Sequence, residues 1–418
     1  MSTSRVVIAG AGHAAGQLVA TLRQKKHEGE ILLIGEEPWL PYQRPPLSKK
    51  FLAGEIPAER LYVKPPAFYD DPSITVKLET RVESIDRRAK TLRLSGARSA
   101  QYDKLVLALG ARVRRLPPMP GVELPGIHYL RNVHDVQEIR EYMQEGRKLV
   151  IIGAGYIGLE VAAVATQRGL QVTVVEMQDR VMKRVVAPQV SQFYEREHRA
   201  HGVTLMLDTG IEGFSGDARV NGVLLSGGGK VPADLVVIGI GIVPNTELAA
   251  AAGLAVADGI VVDERCQTAD ADIYAVGDCT FHPNRLIGRS IRLESVHNAL
   301  EQARTAAANI CGEELHYADI PWFWSDQFDL KLQIAGLSQG YDRAIVRGEA
   351  GNRSFSCVYL SDARIIALDA INNPRDFLQS KKLIADRARM NVDRLTDSGS
   401  ELKDLVDQPA RETRGRTS

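Results

Sequence analysis

Two glycine-rich loops, each leading out of a short apolar strand, constrain this chain more than any other feature. The first is Gly10-Ala11-Gly12-His13-Ala14-Ala15-Gly16 after Val6-Val7-Ile8-Ala9; the second is Gly153-Ala154-Gly155-Tyr156-Ile157-Gly158 after Leu149-Val150-Ile151-Ile152. Each is followed by a helix-length stretch, a second apolar strand and then an acid. The acid is Glu36 after Ile31-Leu32-Leu33-Ile34-Gly35 and Glu176 after Val172-Thr173-Val174-Val175. One loop of this kind is weak evidence, because glycines also end strands. Two complete strand–loop–helix–strand–acid units imply two bound dinucleotides, and so redox chemistry.

The loop chemistry explains the pattern. The first glycine makes a tight turn, the second lets the backbone approach a pyrophosphate, and the third position must be small for the helix to pack on the strand. Free N–H groups and the dipole at the helix N-terminus attract the anionic phosphates. The acid that follows, 24 residues beyond Gly12 and 21 beyond Gly155, accepts hydrogen bonds from ribose hydroxyls. A carboxylate at Glu176 repels a 2′-phosphate, which favours NADH over NADPH. Arg180, Lys183 and Arg184 lie downstream, as solvated cations or as groups that soften that preference.

Composition agrees with a multidomain enzyme. A chain of 418 residues exceeds what one core organises and suggests two or three domains. Lys plus Arg and Asp plus Glu are equal at 52 each, so no net field draws nucleic acid or an anionic membrane. No apolar run reaches the ~20 residues of a membrane span. The first strand starts by Arg5, which leaves no room for a signal peptide ahead of it. Cys266, Cys279, Cys311 and Cys357 are far apart and form no CxxC. That suits a reduced, cytoplasmic protein and argues against a metal or iron–sulfur site of usual spacing.

Along the chain the two units read as a diverged repeat of one βαβ theme. The helix Leu159 to Arg168 is apolar all round, predicting burial, and Gly169 is its left-handed stop. Strands ending at Gly110 and at Gly241 recur in the two halves. The proline-rich stretch Arg114 to Pro125 reads as an inter-domain linker. After Pro321 the alternation in Lys331–Ala335 and Ser354–Leu360 predicts antiparallel strands. Residues beyond Ser398 are polar and predict a frayed tail.

A third signal is Ile273-Tyr274-Ala275-Val276-Gly277-Asp278, a short strand delivering a carboxylate past a glycine to where it meets a polyol hydroxyl. With the double loop, the chain resembles flavoprotein pyridine-nucleotide reductases of glutathione-reductase type. The disulfide-reducing branches keep a redox cysteine within about the first 60 residues; here Pro41 to Leu52 carries no sulfur. Arg44 to Leu52, Tyr129-Leu130-Arg131, Glu294 to Ala299 and Pro321 to Gln327 are similar instead to oxygenase-coupled ferredoxin reductases.

That resemblance implies an α/β fold with two Rossmann-like dinucleotide-binding domains and a C-terminal α+β domain. Residues 1–112 with 245–320 would form the FAD domain, 113–244 the NAD domain, 321–398 the C-terminal domain and 399–418 a flexible tail. It implies that Gly10, Gly12 and the backbone of His13 hold the FAD pyrophosphate and Glu36 the adenosine ribose. Lys49 is placed near flavin N5 with Glu160 as its ion-pair partner; these are the catalytic pair. Val82 falls on the adenine side, Arg131 and Asp278 at the phosphate–ribityl region, and Val296 at the flavin ring edge. Ala14, Arg44, Trp324, Gly153, Gly155, Tyr156, Ile157, Gly158, Glu176 and Gly241 complete the expected cofactor-binding set. Tyr156 is either a gate that nicotinamide displaces or plain packing. His13 and His297 read as structural, because hydride and electron transfer need no essential base.

The implied activity passes hydride from NADH to FAD and then single electrons to a 2Fe-2S ferredoxin that feeds a cytochrome P-450 type monooxygenase. A rubredoxin, the ferredoxin of a ring-hydroxylating dioxygenase, or dioxygen are alternative acceptors within the same enzyme type. A disulfide or peroxide enzyme is disfavoured by the missing early cysteine. A partner- or DNA-binding flavoprotein would show a basic bias or targeting segment that this chain lacks.

Overall fold

The computed structural model describes residues 4–407. They divide into two compact units, the chain up to Val181 with Glu197–Asp319, and Met182–Arg196 with the chain from Ile320 onward.

The first unit holds two five-stranded parallel sheets laid out alike, differing in that the edge strand comes last in chain order in one and first in the other. In one the order is Ile273–Ala275, Lys104–Leu107, Val6–Ala9, Ile31–Ile34, Ile74–Lys77; in the other it is Ile127–Tyr129, Leu235–Ile238, Lys148–Ile152, Gln171–Val175, Thr204–Met206. The registers are parallel throughout, Val6 opposite Ile31 and Lys104 in the first sheet, Leu149 opposite Val172 and Leu235 in the second. The central strands are buried on both faces, which is why they read as unbroken Val/Ile/Leu runs. In each sheet the glycine-loop strand is central, between the acid-bearing strand and the one that ends near Gly110 or Gly241. The strand order reverses there, and at such a point a crevice opens at the carboxyl ends of the strands.

Each sheet also carries a three-stranded antiparallel meander, Val82–Asp86 with Thr91–Leu94 and Arg98–Gln101, or Ile211–Ser215 with Gly222–Leu225 and Lys230–Pro232. The two passages between the sheets, Ala111–Val113 and Ile242–Pro244, pair antiparallel with one another. Helix His13–Gln24 buries Ala14, Ala15, Leu18, Val19 and Leu22, the i, i+4 stripe of a helix lying on a sheet. Helix Tyr156–Gln167 is buried from Gly158 to Ala165, as its uniform apolarity predicts, and Gly169 follows it at φ +80°.

The proline-rich stretch is not a loose linker. Pro120 O accepts from Phe214 N (2.8 Å) and Pro125 O from Val220 N (3.0 Å). Leu116, Met119, Val122 and Leu124 pack onto the apolar cluster that includes Phe214, Val220 and Val223. Prolines donate no N–H, so their carbonyls are the groups left to strap the segment down.

The second unit is one antiparallel sheet in the order Trp322–Gln327, Leu330–Gly336, Arg364–Ile371, Ser354–Ser361, Arg343–Glu349, with helix Pro374–Ala385 packed on it. Residues 182–196, placed with the NAD domain by sequence order, pack here instead. Phe193 meets Phe355 edge-on at 5.0 Å and Ala187 N donates to Tyr359 Oη at 2.8 Å. The expected tail is corrected as well. Buried Arg347 pairs with Asp376 at 2.9 Å and donates to the carbonyls of Asp397 and Ser400, while Leu402 and Leu405 are fully buried. Two leucines and an interior cation hold residues 399–407 in place; 408–418 lie outside the described residues.

Candidate active site

The two glycine loops are built alike. Gly10 sits at φ +110°, and a Cβ there would lie 2.2 Å from Ala108 O; Gly153 sits at φ +103°, with a Cβ 2.5 Å from Gly239 O. Only glycine satisfies both the left-handed backbone and the close strand. A Cβ on Gly12 or Gly155 would meet nothing within 4 Å, so both loops face open space where a phosphate would rest. A Cβ on Gly158 would strike Gly153 O at 2.1 Å, which is the third-glycine packing requirement. Ala14 is buried and Ile157 exposed in the first turns of the two helices, with Tyr156 half-buried between loop and solvent.

The acids differ in use. Glu36 is exposed and pairs with Arg81 at 2.9 Å. Glu176 binds backward: one oxygen accepts from Ala154 N in the glycine loop (2.7 Å) and the other from Gln178 N (2.9 Å). Its carboxylate therefore holds the second glycine loop. Gly241, at φ +105°, opens the return passage beside it.

Around the first loop the charged groups brace each other. Arg44 pairs with Glu37 at 2.7 Å, donates to Tyr42 Oη (3.0 Å) and to Arg131 O (2.7 Å), and its guanidinium lies over the Tyr42 ring. Arg131 N is held by Asp135 Oδ2 at 2.8 Å, within the capping box of helix Val133–Tyr142. With its backbone fixed on both sides, Arg131 extends its guanidinium to 3.6 Å from Asp278. Its Nε is buried with no partner among the described residues.

These surroundings set the ionisation. Burial pushes the Asp278 carboxyl up, with Arg131 and Arg44 pulling against it. Burial pulls Arg44 down, but Tyr42 and Glu37 more than reverse that and its net shift is upward. The His13 imidazole is lowered to about 4 by burial, then by Arg44 and Arg131. It is neutral at physiological pH.

Within the first unit, an ion pair links the segment after the first glycine loop to the helix of the second. Lys49 Nζ lies 2.6 Å from Glu160 Oε2, with the Glu160 side chain 1% exposed and Lys49 17% exposed. Ser48 Oγ donates to the same Glu160 oxygen at 2.5 Å, and Lys49 reaches Pro45 O at 3.3 Å. Lys49 follows the short 3₁₀ turn Pro45–Ser48, and Glu160 lies on the second loop's helix. The contact thus joins one nucleotide unit to the other.

Val82 starts the first meander and packs on the core beside the first sheet. Val296 is the first residue of helix Val296–Ile310, whose Ser295 cap accepts from Asn298 N at 3.1 Å. Trp324 belongs to the second unit, its ring 5.4 Å from Trp322. Sequence reasoning missed Ser48, Glu37, Tyr42 and Asp135. Ser48 was signalled only by its place next to Lys49; the others support Arg44 and Arg131 through contacts that spacing does not encode.

No thiol takes part. The four cysteines are unpaired, and Cys279, next to Asp278, is fully buried with its Sγ 3.4 Å from Val276 O. Burial pushes that thiol up to about 11, far from the thiolate a redox cysteine needs.

A family model described as pyridine nucleotide-disulphide oxidoreductase matches residues 4–303, and one described as reductase C-terminal matches residues 322–406. The chain is 43% identical over 399 residues to rhodocoxin reductase of Rhodococcus erythropolis, covering 95% of this chain and 93% of that one. It is 44% identical over 410 residues to putidaredoxin reductase of Pseudomonas putida, covering 97% of each. It is also similar to the reductase in the crystal structure of a covalent putidaredoxin reductase–putidaredoxin complex. That match has a TM-score of 0.94 at 44% identity, over 97% of this chain and 98% of the other.

Proposed function

This chain belongs to the pyridine nucleotide-disulphide oxidoreductase family, and on that premise we propose that it is an NADH-dependent, FAD-containing ferredoxin reductase. Its acceptor is a 2Fe-2S ferredoxin serving a P-450 type monooxygenase, and it works in the cytoplasm. The observation that carries this reading is the buried Lys49–Glu160 pair joining two nucleotide loops in a site without a reactive thiol. No helix among the described residues is long and apolar enough to cross a membrane.

The residues of the first loop fit FAD. Gly10 and Gly12 leave the cradle open, the unpartnered Nε of Arg131 is a free donor beside it, and Glu36 stands at the strand end for the adenosine ribose. Bound FAD would take two electrons at once and release them singly, as a one-electron ferredoxin requires. Glu160 fixes the Lys49 ammonium, and a fixed cation beside the flavin stabilises the charge that accumulates there without reorganisation. Arg44 keeps Arg131 aimed at the phosphate–ribityl region by holding its backbone. Glu176 holds the second loop and receives the NADH ribose. Residues 113–244, apart from 182–196, form the NAD-binding domain, and residues up to 112 with 245–320 form the FAD-binding domain.

The test is anaerobic stopped-flow absorbance on the FAD-loaded protein, first with NADH and then with a purified 2Fe-2S ferredoxin. Fast flavin bleaching, followed by ferredoxin reduction outpacing reaction with air, is the expected result. Bleaching with transfer only to rubredoxin or dioxygen would overturn the acceptor, and no bleaching by NADH would overturn the second loop's assignment.

A further inference from the structure

Helix Val296–Ile310 is rich in alanine where it is buried, yet it carries two fully buried amides, Asn298 near its N-terminus and Gln302 at its middle. A buried amide is retained against its desolvation only where it is used. Gln302 Oε1 accepts from Gly277 N at 2.7 Å and from Thr280 Oγ1 at 3.0 Å. Its Nε2 finds no partner among the described residues, so the amide is kept for its oxygen.

The two donors belong to one turn. Val276 N is tied to Leu107 O at 3.0 Å at the end of the first parallel sheet, and Thr280 N returns to Gly277 O at 3.0 Å. Between them Gly277 takes φ +84°, a conformation that throws Asp278 out of the strand direction toward Arg131. Among the described residues it is the Gln302 side chain that accepts from the Gly277 amide, and so it fixes the step that aims the Asp278 carboxylate. Six residues before it on the same helix, about 9 Å along the axis, stands Val296 at the N-terminus.

We propose that Gln302 is a positioning residue for the flavin site. Through the Gly277 amide it holds the Asp278 turn on the helix that also presents Val296, so that ribityl and ring contacts move as one rigid body. This rests on the reading of the first unit as the FAD site.

The experiment is a double-mutant cycle on holoenzyme with Gln302→Met and Asp278→Asn. FAD release on dilution is followed by recovery of flavin fluorescence, and the bound-flavin environment by visible circular dichroism. Hydrogen exchange reads the segment around Gly277. Gln302→Met is expected to speed FAD release by about tenfold, the scale of one lost buried hydrogen bond. It should also raise exchange at the turn while helix Val296–Ile310 stays protected. The double variant is expected to lose no more FAD affinity than the weaker-binding single variant.

Additive effects would overturn the proposal, because Gln302 would then act independently of Asp278. Unchanged exchange at the turn would overturn it too. Asp278→Asn without effect on FAD would overturn the cofactor reading itself, and this proposal with it. If Gln302→Met does not accumulate folded, Thr280→Val removes the second donor to the same oxygen and the same cycle is run with it, a smaller but still non-additive effect being expected.

Discussion

At the scale of single residues the Lys49–Glu160 pair is asymmetric. Glu160 is 1% exposed and Lys49 17%, so removing the lysine leaves a carboxylate in the interior without its cation. Removing the charge of Glu160 leaves a lysine that turns to water. Lys49→Met is therefore expected to cost about 3 kcal/mol or more of stability and Glu160→Gln markedly less, read by denaturant melts. Both should slow flavin reduction by NADH, by about tenfold or more, in stopped-flow traces. Two further buried groups titrate with opposite sign. His282 is lowered to about 4 by burial, against 6.5 in the unfolded chain. Its contribution is complete above pH 6.5 and is lost as pH falls through 4, on the order of 3 kcal/mol in full. Asp369 is raised to about 7 by burial, its hydrogen bond from Tyr359 opposing this only partly. Its contribution is present below pH 3.8 and lost as pH rises through 7, about 4 kcal/mol in full. The two slopes nearly cancel in the parent between pH 4 and 6.5. Melts from pH 4.5 to 8.5 should separate them: His282→Gln leaves the Asp369 slope unopposed, so stability falls as pH rises from 4.5 towards 7, while Asp369→Asn leaves the His282 slope and gains on the parent as pH rises. Lys49 and Glu160 were legible as individual residues because the family resemblance marks them. The burial of His282 and Asp369 was not, since it comes from chain brought in from elsewhere in the fold.

At the scale of elements the glycine loops were the most legible part, because phosphate approach and helix packing fix residue types at fixed spacing. What spacing conceals is how an element is held. Glu176 was read as a ribose ligand, yet its two oxygens also close the second loop on Ala154 N and Gln178 N. Glu176→Ala is accordingly expected to do two separable things. It removes the repulsion toward a 2′-phosphate, so the NADPH-to-NADH ratio of kcat/KM rises by about tenfold or more. It also leaves the Ala154 amide without its acceptor, so kcat/KM with NADPH stays below the parent's value with NADH. Steady-state kinetics with both nucleotides check this; a variant as fast with NADPH as the parent is with NADH would show the loop bonds to be idle. The proline-rich strap escaped sequence reading for a related reason. Proline marks where regular structure stops, and says nothing of carbonyls that accept from a neighbouring sheet, as Pro120 O and Pro125 O do.

At the scale of the whole molecule the repeat told the architecture, since two copies of one βαβ theme fold to two sheets of one layout, differing only in where the chain supplies the edge strand. Sequence order then misled at two places, residues 182–196 and 399–407. Both are polar enough to read as surface, and both are captured by the C-terminal sheet through a few buried groups, Phe193 and Tyr194 in one, Leu402 and Leu405 in the other. The second capture depends on Arg347. Its guanidinium is 1% exposed and divided among Asp376 and the carbonyls of Asp397 and Ser400. Ending the chain at Thr396 would take away both carbonyls and both leucines, leaving buried N–H donors unmet beside an open apolar surface. Each leucine alone is worth about 2 to 4 kcal/mol when truncated to alanine, and the unmet donors add to that. The sum is comparable with the whole stability of a domain this size. The shortened chain is therefore expected to lose the second unit's protection from hydrogen exchange across residues 320–396, while peptides from the two parallel sheets exchange as in the parent. Leu402→Ala should show the same pattern at smaller amplitude. Full protection in the chain ending at Thr396 would mean that Asp376 alone satisfies Arg347 and that residues 397–407 only decorate the sheet.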